Sequence, residues 1–220
     1  MQNRILILGA NGMTGELVLQ QSLACNAIGE IITITRKPLA IIDPKLKNII
    51  HQDFLDFSAV ENAFEDIDIC YFCLGVYTGA VPNEQFFKIT VDYTKSVANL
   101  LKQKSPNVVF CFLSGMGADL TEKSKMPFAK AKGIAENHLL NLRLNRLVIF
   151  RPGYIYPTVK RKEPNFFYSL FRYLYPLMKL IYPNIGLSSD TLAQSMFKAG
   201  FEKTPTVILE NKAIKAFIAS

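Results

Sequence analysis

Short apolar runs alternate along the chain with longer stretches in which apolar residues recur every three or four positions. The runs are RILIL from Arg4, EIITIT from Glu30, NIIH from Asn48, IDICYFCL from Ile67, NVVFCFLS from Asn107 and RLVIF from Arg146. Each has the length and the composition of a buried strand. Between most of them lies a stretch with helix period. PNEQFFKITVDYTKSVANLLKQK shows it best: Phe87, Val91, Thr94, Ala98 and Leu101 recur at spacings of four and three and predict one buried stripe beside solvated Lys and Gln. A first helix is expected from about Met13. Another should run from about Phe128 to Asn145, with Pro127 where a helix can begin. Alternation of this kind predicts an α/β fold, a parallel sheet covered by helices on both faces.

After RPGYIYP the texture changes. KRKEP leads into the aromatic run FFYSLFRYLYPLMKLIYP, then into SSDTLAQSMFKAGF, a helix that Ser189 or Asp190 can cap, and finally TVILE, a short strand placed to close the sheet edge. There is no internal repeat and no Gly/Ser linker. Residues 1–155 are therefore expected to form the sheet domain and 156–220 a small substrate-side lobe packed on the same unit.

The chain has 220 residues, 50% of them hydrophobic, enough for one well-buried core. Its opening, MQNRILILG, has neither the shape of a secretory signal nor the length of a membrane span, so a cytoplasmic location is expected. Cys25, Cys70, Cys73 and Cys111 lie mostly in apolar runs, and Cys70 and Cys73 should point to opposite faces of one strand. No metal site is expected. A net charge of +7 permits attraction to nucleic acid, acidic lipid or phosphorylated small molecules. The basic patch KRK at 160–162, with Arg172 and Lys179, is better explained by solvated charges beside Phe166, Phe167, Leu170, Phe171 and Leu174 covering a cleft than by nucleic-acid binding. Peripheral membrane contact is possible but not favoured, and Pro176 interrupts the segment.

The strongest local signal is LILGANGMTG, three glycines at a three-residue interval directly after the first strand. Gly9 suits a sharp turn. Gly12 would let a dinucleotide diphosphate approach the amides at a helix N-terminus, and Gly15 would let that helix pack closely. Asn11, Met13 and Thr14 complete this cradle. Where the second strand ends, an NAD-preferring fold carries an acidic side chain for the ribose hydroxyls; this chain has Arg36 and Lys37, suited to the 2′-phosphate of NADP. NADP(H) is thus expected over NAD(H). Asp53 and Phe54, after the third strand, can bond and cover the adenine edge.

GANGMTG, the basic strand end, QDFLD, CLG at 73–75, FLS at 112–114, an aromatic-x-x-x-Lys and RPG at 151–153, taken in that order, resemble the atypical branch of the short-chain dehydrogenase/reductase family. The likeness extends to its small oxidoreductase and sugar-nucleotide epimerase-like members. It implies a Rossmann-like, doubly wound sheet with NAD(P)H across its carboxyl edge. Cys73, Leu74, Gly75, Ser114, Pro152, Gly153 and Tyr154 would line the cofactor. Family chemistry uses a Tyr as acid/base, a Lys four residues later that holds the nicotinamide ribose, and a Ser that orients the substrate. In PFAKAKG, Lys132 stands in the Lys position but Phe128 fills that of Tyr, and a phenyl ring has no proton to exchange. Ser114 lies at the strand end, while Met116 occupies the place where the Ser often stands. Were hydride transfer to occur, Tyr77, Tyr154 and Tyr156 are the candidate proton donors. A hydrolase is not supported, because LSGMG lacks the first glycine of a nucleophile elbow. The expectation is an NADP(H)-binding oxidoreductase with a nonstandard site, acting on an unidentified small molecule. The alternatives are a non-catalytic nucleotide sensor or scaffold and an epimerase-like enzyme.

Overall fold

In the first strand, β1 (Asn3–Leu8), successive side chains point to opposite faces: Ile5 and Ile7 enter one core, Leu6 and Leu8 the other, and all four are fully buried. That double burial needs helices on both sides. A computed structural model, described over residues 2–158, 184, 186–203 and 205–219, provides them. On one side β1 pairs with β2 (Ile28–Thr35), which pairs with β3 (Leu46–Ile50). On the other it pairs with β4 (Ile69–Phe72), followed by β5 (Val109–Leu113), β6 (Arg146–Arg151) and β9 (Val207–Glu210). Every pairing in this seven-stranded sheet is parallel. Between β6 and β9, β7 (Tyr154–Tyr156) and β8 (Gly186–Ser188) form a separate parallel pair. The strand order β3-β2-β1-β4-β5-β6-β9 reverses direction at β1, and ligands of such sheets sit at the carboxyl ends beside that reversal. This is the Rossmann-like arrangement expected.

Among the described residues the α-helices are α1 (Met13–Ala24), α2 (Asn83–Phe87), α3 (Tyr93–Lys104), α4 (Pro127–Asn141), α5 (Ser189–Phe201) and α6 (Asn211–Ala219). One face of the sheet is covered by α3 through Val97, Ala98 and Leu101 and by α4 through Ala135 and Leu139. The other is covered by α1, α5 and α6 through Val18, Leu192, Met196 and Ile214. Cys70 and Cys73 fall in these two different cores, and all four cysteines are free thiols.

Three local expectations need correction. A π-helical turn, Lys88–Asp92, joins α2 to α3. Its wider turn shifts the helical phase, so Val91, Thr94, Ala98 and Leu101 are buried as expected while Phe86 replaces Phe87 as the buried residue ahead of it. Helix α4 begins at Pro127 but stops at Asn141, because Arg143 turns left-handed at φ 49° and sends Leu144 into the core. Ser188, rather than Ser189 or Asp190, caps α5: its hydroxyl accepts from Thr191 N at 3.0 Å. Ser189 instead turns its hydroxyl to Thr158.

The TVILE segment joins the sheet edge as β9, and the final helix α6 had no counterpart in the sequence reading. KRK 160–162, Arg172, Pro176, Lys179 and the aromatic run lie outside the described residues. Among the described residues no helix is long and apolar enough to cross a membrane, and no cluster of His, Cys, Asp and Glu could hold a metal.

Candidate functional site

The three glycines make one tight corner. Gly9 turns at φ +86°, and a Cβ on it would lie 2.7 Å from the Cys73 carbonyl and 2.9 Å from Leu74 N, the backbone just beyond β4. Gly12 caps α1 with its N–H donated to Gly9 O at 2.8 Å. A Cβ on Gly15 would run into the same Gly9 carbonyl, so the helix can start this close to the strand only with glycine there. Thr14 is buried beside it and Met13 opens the helix.

In front of this corner lies a cavity of about 760 Å³ at the carboxyl ends of β1, β2 and β4. Gly9, Asn11 and Gly12 line it from the first turn, Arg36 and Lys37 from the end of β2, Phe54 from beyond β3, and Cys73, Leu74 and Gly75 from just beyond β4. Arg36 and Lys37 are exposed. Phe54 is anchored by edge and tilted contacts with Phe57 and Tyr93, at centroid distances of 5.7 and 5.5 Å. Asp53 stands between two lining residues, Gln52 and Phe54, but is exposed and accepts from Leu55 N at 2.9 Å. Neutral Thr35 and Gln52 also line the wall; Gln52 opens the QDFLD motif, while Thr35 carried no signal in the sequence.

The other predicted residues gather at the ends of β5 and β6. Lys132, on the first half of α4, is only 7% exposed; its ammonium donates to the Leu113 carbonyl at 3.0 Å and lies 5.2 Å from the Phe112 ring centre. Burial pulls its pKa down to about 8, with Glu136 partly opposing that shift. Ser114 donates its hydroxyl to Glu136, whose side chain is fully buried. Arg151 holds the same carboxylate as a fork, Nε at 3.0 and 3.1 Å and a terminal nitrogen at 2.5 Å. This hydrogen bonding raises the Arg151 pKa above its usual value. Glu136 and Arg151 were missed as site residues. Their signal was present, since Glu136 follows Lys132 by one helical turn and Arg151 opens the RPG motif.

Pro152 accepts from Met116 N at 2.8 Å, Gly153 N donates to the Asn211 side chain at 2.8 Å, and Tyr154 begins β7. Phe128 packs with Phe86 at 6.4 Å between ring centres. A Cβ on Gly115 would meet its ring tip at 2.5 Å. Phe128 thus lies against Gly115, in an apolar cluster with Val91 and Ala131.

Comparisons with known proteins agree with this geometry. Rat Protein HTATIP2 is 31% identical over 168 residues, which cover 74% of this chain and 68% of that protein. Protein FMP52, mitochondrial, of Eremothecium gossypii is 25% identical over 151 residues, 67% of this chain and 64% of that protein. The solved structure of the Bordetella bronchiseptica enzyme WbmH in complex with NAD+ has the same fold, with a TM-score of 0.71 at 13% identity, over 95% of this chain and 75% of that one. Residues 5–151, from β1 through the end of β6, match the NAD dependent epimerase/dehydratase family. With the glycine corner, the parallel sheet and the cavity in the places such a match requires, this chain belongs to that family.

Proposed function

We propose that this chain binds NADP(H), in preference to NAD(H), in the cavity at the glycine corner, and that it is an oxidoreductase whose proton does not come from the usual tyrosine position. One observation carries the cofactor choice: exposed Arg36 and Lys37 line the cavity at the end of β2, where an NAD site would present a carboxylate. The residues fit the group. Gly12 and the first amides of α1 would face the diphosphate, Phe54 the adenine, and Lys132 the nicotinamide ribose. The bound nicotinamide would supply or accept a hydride. Phe128 has no proton to give, which leaves Tyr77, Tyr154 and Tyr156 for that task. WbmH, seen with NAD+, supports dinucleotide binding by this fold.

A second reading, a nucleotide sensor without turnover, is favoured by the state of the catalytic positions. Ser114 spends its hydroxyl on Glu136, Lys132 donates to a main-chain carbonyl, and Phe128 is packed on Gly115.

The test is a fluorescence titration with NADPH and with NADH, on the parent and on Arg36→Ala/Lys37→Ala; the chain has no tryptophan to obscure the signal. The double variant should weaken NADPH by tenfold or more, about 1.4 kcal/mol, and leave NADH nearly unchanged. Equal affinity of the parent for both nucleotides would remove the NADP preference. Turnover of NADPH with a panel of carbonyls and quinones, lost in Tyr77→Phe or Tyr154→Phe, would favour the enzyme; no turnover by the parent would favour the sensor.

A further inference from the structure

We infer that Thr35, Asn48 and Gln52, three neutral side chains, determine the choice between the two nucleotides by holding the loop that carries Arg36 and Lys37. This rests on the NADP(H) reading above.

The hydrogen-bond directions follow from one fixed donor. Leu39 N–H can only donate, and it lies 3.0 Å from the Asn48 side-chain oxygen, which orients that amide. Its nitrogen therefore points at the hydroxyls of Thr33 and Thr35, at 2.9 and 2.8 Å. Thr35, accepting there, has its own proton available, and donates it to the Lys37 carbonyl at 2.7 Å. One residue back, the Gln52 amide nitrogen donates to the Arg36 carbonyl at 2.8 Å. Two successive carbonyls are thus tied back, that of Lys37 to the end of β2 and that of Arg36 to the segment just beyond β3, and the two side chains they belong to are exposed at the cavity.

The arrangement is costly enough to need a reason. Thr33 and Thr35 are 0% and 5% exposed on a strand whose neighbours Ile31, Ile32 and Ile34 are all fully buried. A hydroxyl buried there destabilises the sheet unless it is hydrogen-bonded. Asn48, paired directly opposite Thr33 in the β2–β3 register, donates to both. With two peptide planes fixed, the directions in which Arg36 and Lys37 leave the backbone are fixed too. Less ordering is then required when a phosphate arrives. None of the three residues brings charge, so their effect falls on whichever nucleotide uses Arg36 and Lys37.

The test measures NADPH and NADH affinity on the full chain for Thr35→Val, Thr35→Ser, Gln52→Leu and Arg36→Ala/Lys37→Ala, with thermal melts alongside. Thr35→Val and Gln52→Leu should each weaken NADPH about three- to tenfold, the range of one lost hydrogen bond, with NADH changed less than about twofold. Thr35→Ser keeps the hydroxyl and should keep the ratio. Equal losses for both nucleotides would show a merely structural role and overturn the inference. So would an unchanged ratio in Thr35→Val and Gln52→Leu while the Arg36/Lys37 variant loses its preference, an outcome that leaves the cofactor reading standing. A preference that survives the Arg36/Lys37 variant overturns that reading, and this inference with it. Gln52 is exposed, so Gln52→Leu carries the test should Thr35→Val fold poorly.

Discussion

The two ends of the candidate site are built on opposite plans. At the glycine corner the charged side chains that line the cavity, Arg36 and Lys37, are exposed. At the β5–β6 end the polar groups are buried and satisfy one another: Ser114 on Glu136, Arg151 on Glu136, Lys132 on Leu113. Charge at the first end is available to a ligand. At the second it is committed to the fold, so changes there should register first as stability and changes at the first end as affinity.

The sharpest way to break this contrast is Arg151→Met. It strands the fully buried Glu136 carboxylate, and urea unfolding should lose about 3–5 kcal/mol. Adding Glu136→Leu should restore most of that loss. A cost below about 1 kcal/mol for Arg151→Met would mean that the network is wet and available to substrate.

Next in size is a pH effect from Lys132. Its pKa in the fold, about 8, lies below the ordinary 10.5. Below pH 8 the amine is charged in both states, and burying that charge costs stability. Between 8 and 10.5 the unfolded chain keeps the proton that the folded chain has released. Stability should therefore rise with pH through that window, by up to about 3 kcal/mol relative to Lys132→Met. Parallel stability curves for parent and variant would refute it.

At the open end, Gly15→Ala places a methyl against the Gly9 carbonyl. It should cost about 2 kcal/mol in unfolding and weaken both nucleotides alike, unlike the Arg36/Lys37 variant. The smallest effect expected is that of Phe128→Tyr. The ring tip already faces Gly115, and a hydroxyl there has little room, so thermal melting should fall by the equivalent of about 1 kcal/mol with no gain of turnover. Carbonyl reduction by Phe128→Tyr that the parent lacks would show that the closed end needs only a proton donor.

The same contrast explains what could be read from the sequence. The glycine corner, the strand runs and the basic strand end are contiguous signals, each spelled within ten residues or so, and their lining of one cavity follows from the parallel order. The committed end joins Ser114 to Glu136 across 22 positions and Glu136 to Arg151 across 15. In a helix-period pattern a glutamate reads as solvated, so its complete burial had no local sign. The carbonyl-holding roles of Thr35 and Gln52 were hidden for a related reason. Their partners are main-chain atoms, which every residue has.

The π turn at Lys88–Asp92 reaches beyond this chain. It accommodates what amounts to one surplus residue, since a residue added to a regular helix would rotate everything ahead of it by about 100° and the wider turn takes up that rotation. A relative one residue shorter here would have an unbroken helix, and its counterpart of Phe86, now four positions before that of Val91, would still face the counterpart of Phe128. The aromatic cover over Phe128 can therefore survive a single codon's insertion or deletion within this turn, although the sequence spacing of the stripe changes by one. Alignments across this segment need to treat α2 and α3 as separate blocks, because a gapless match pairs residues that face different neighbours.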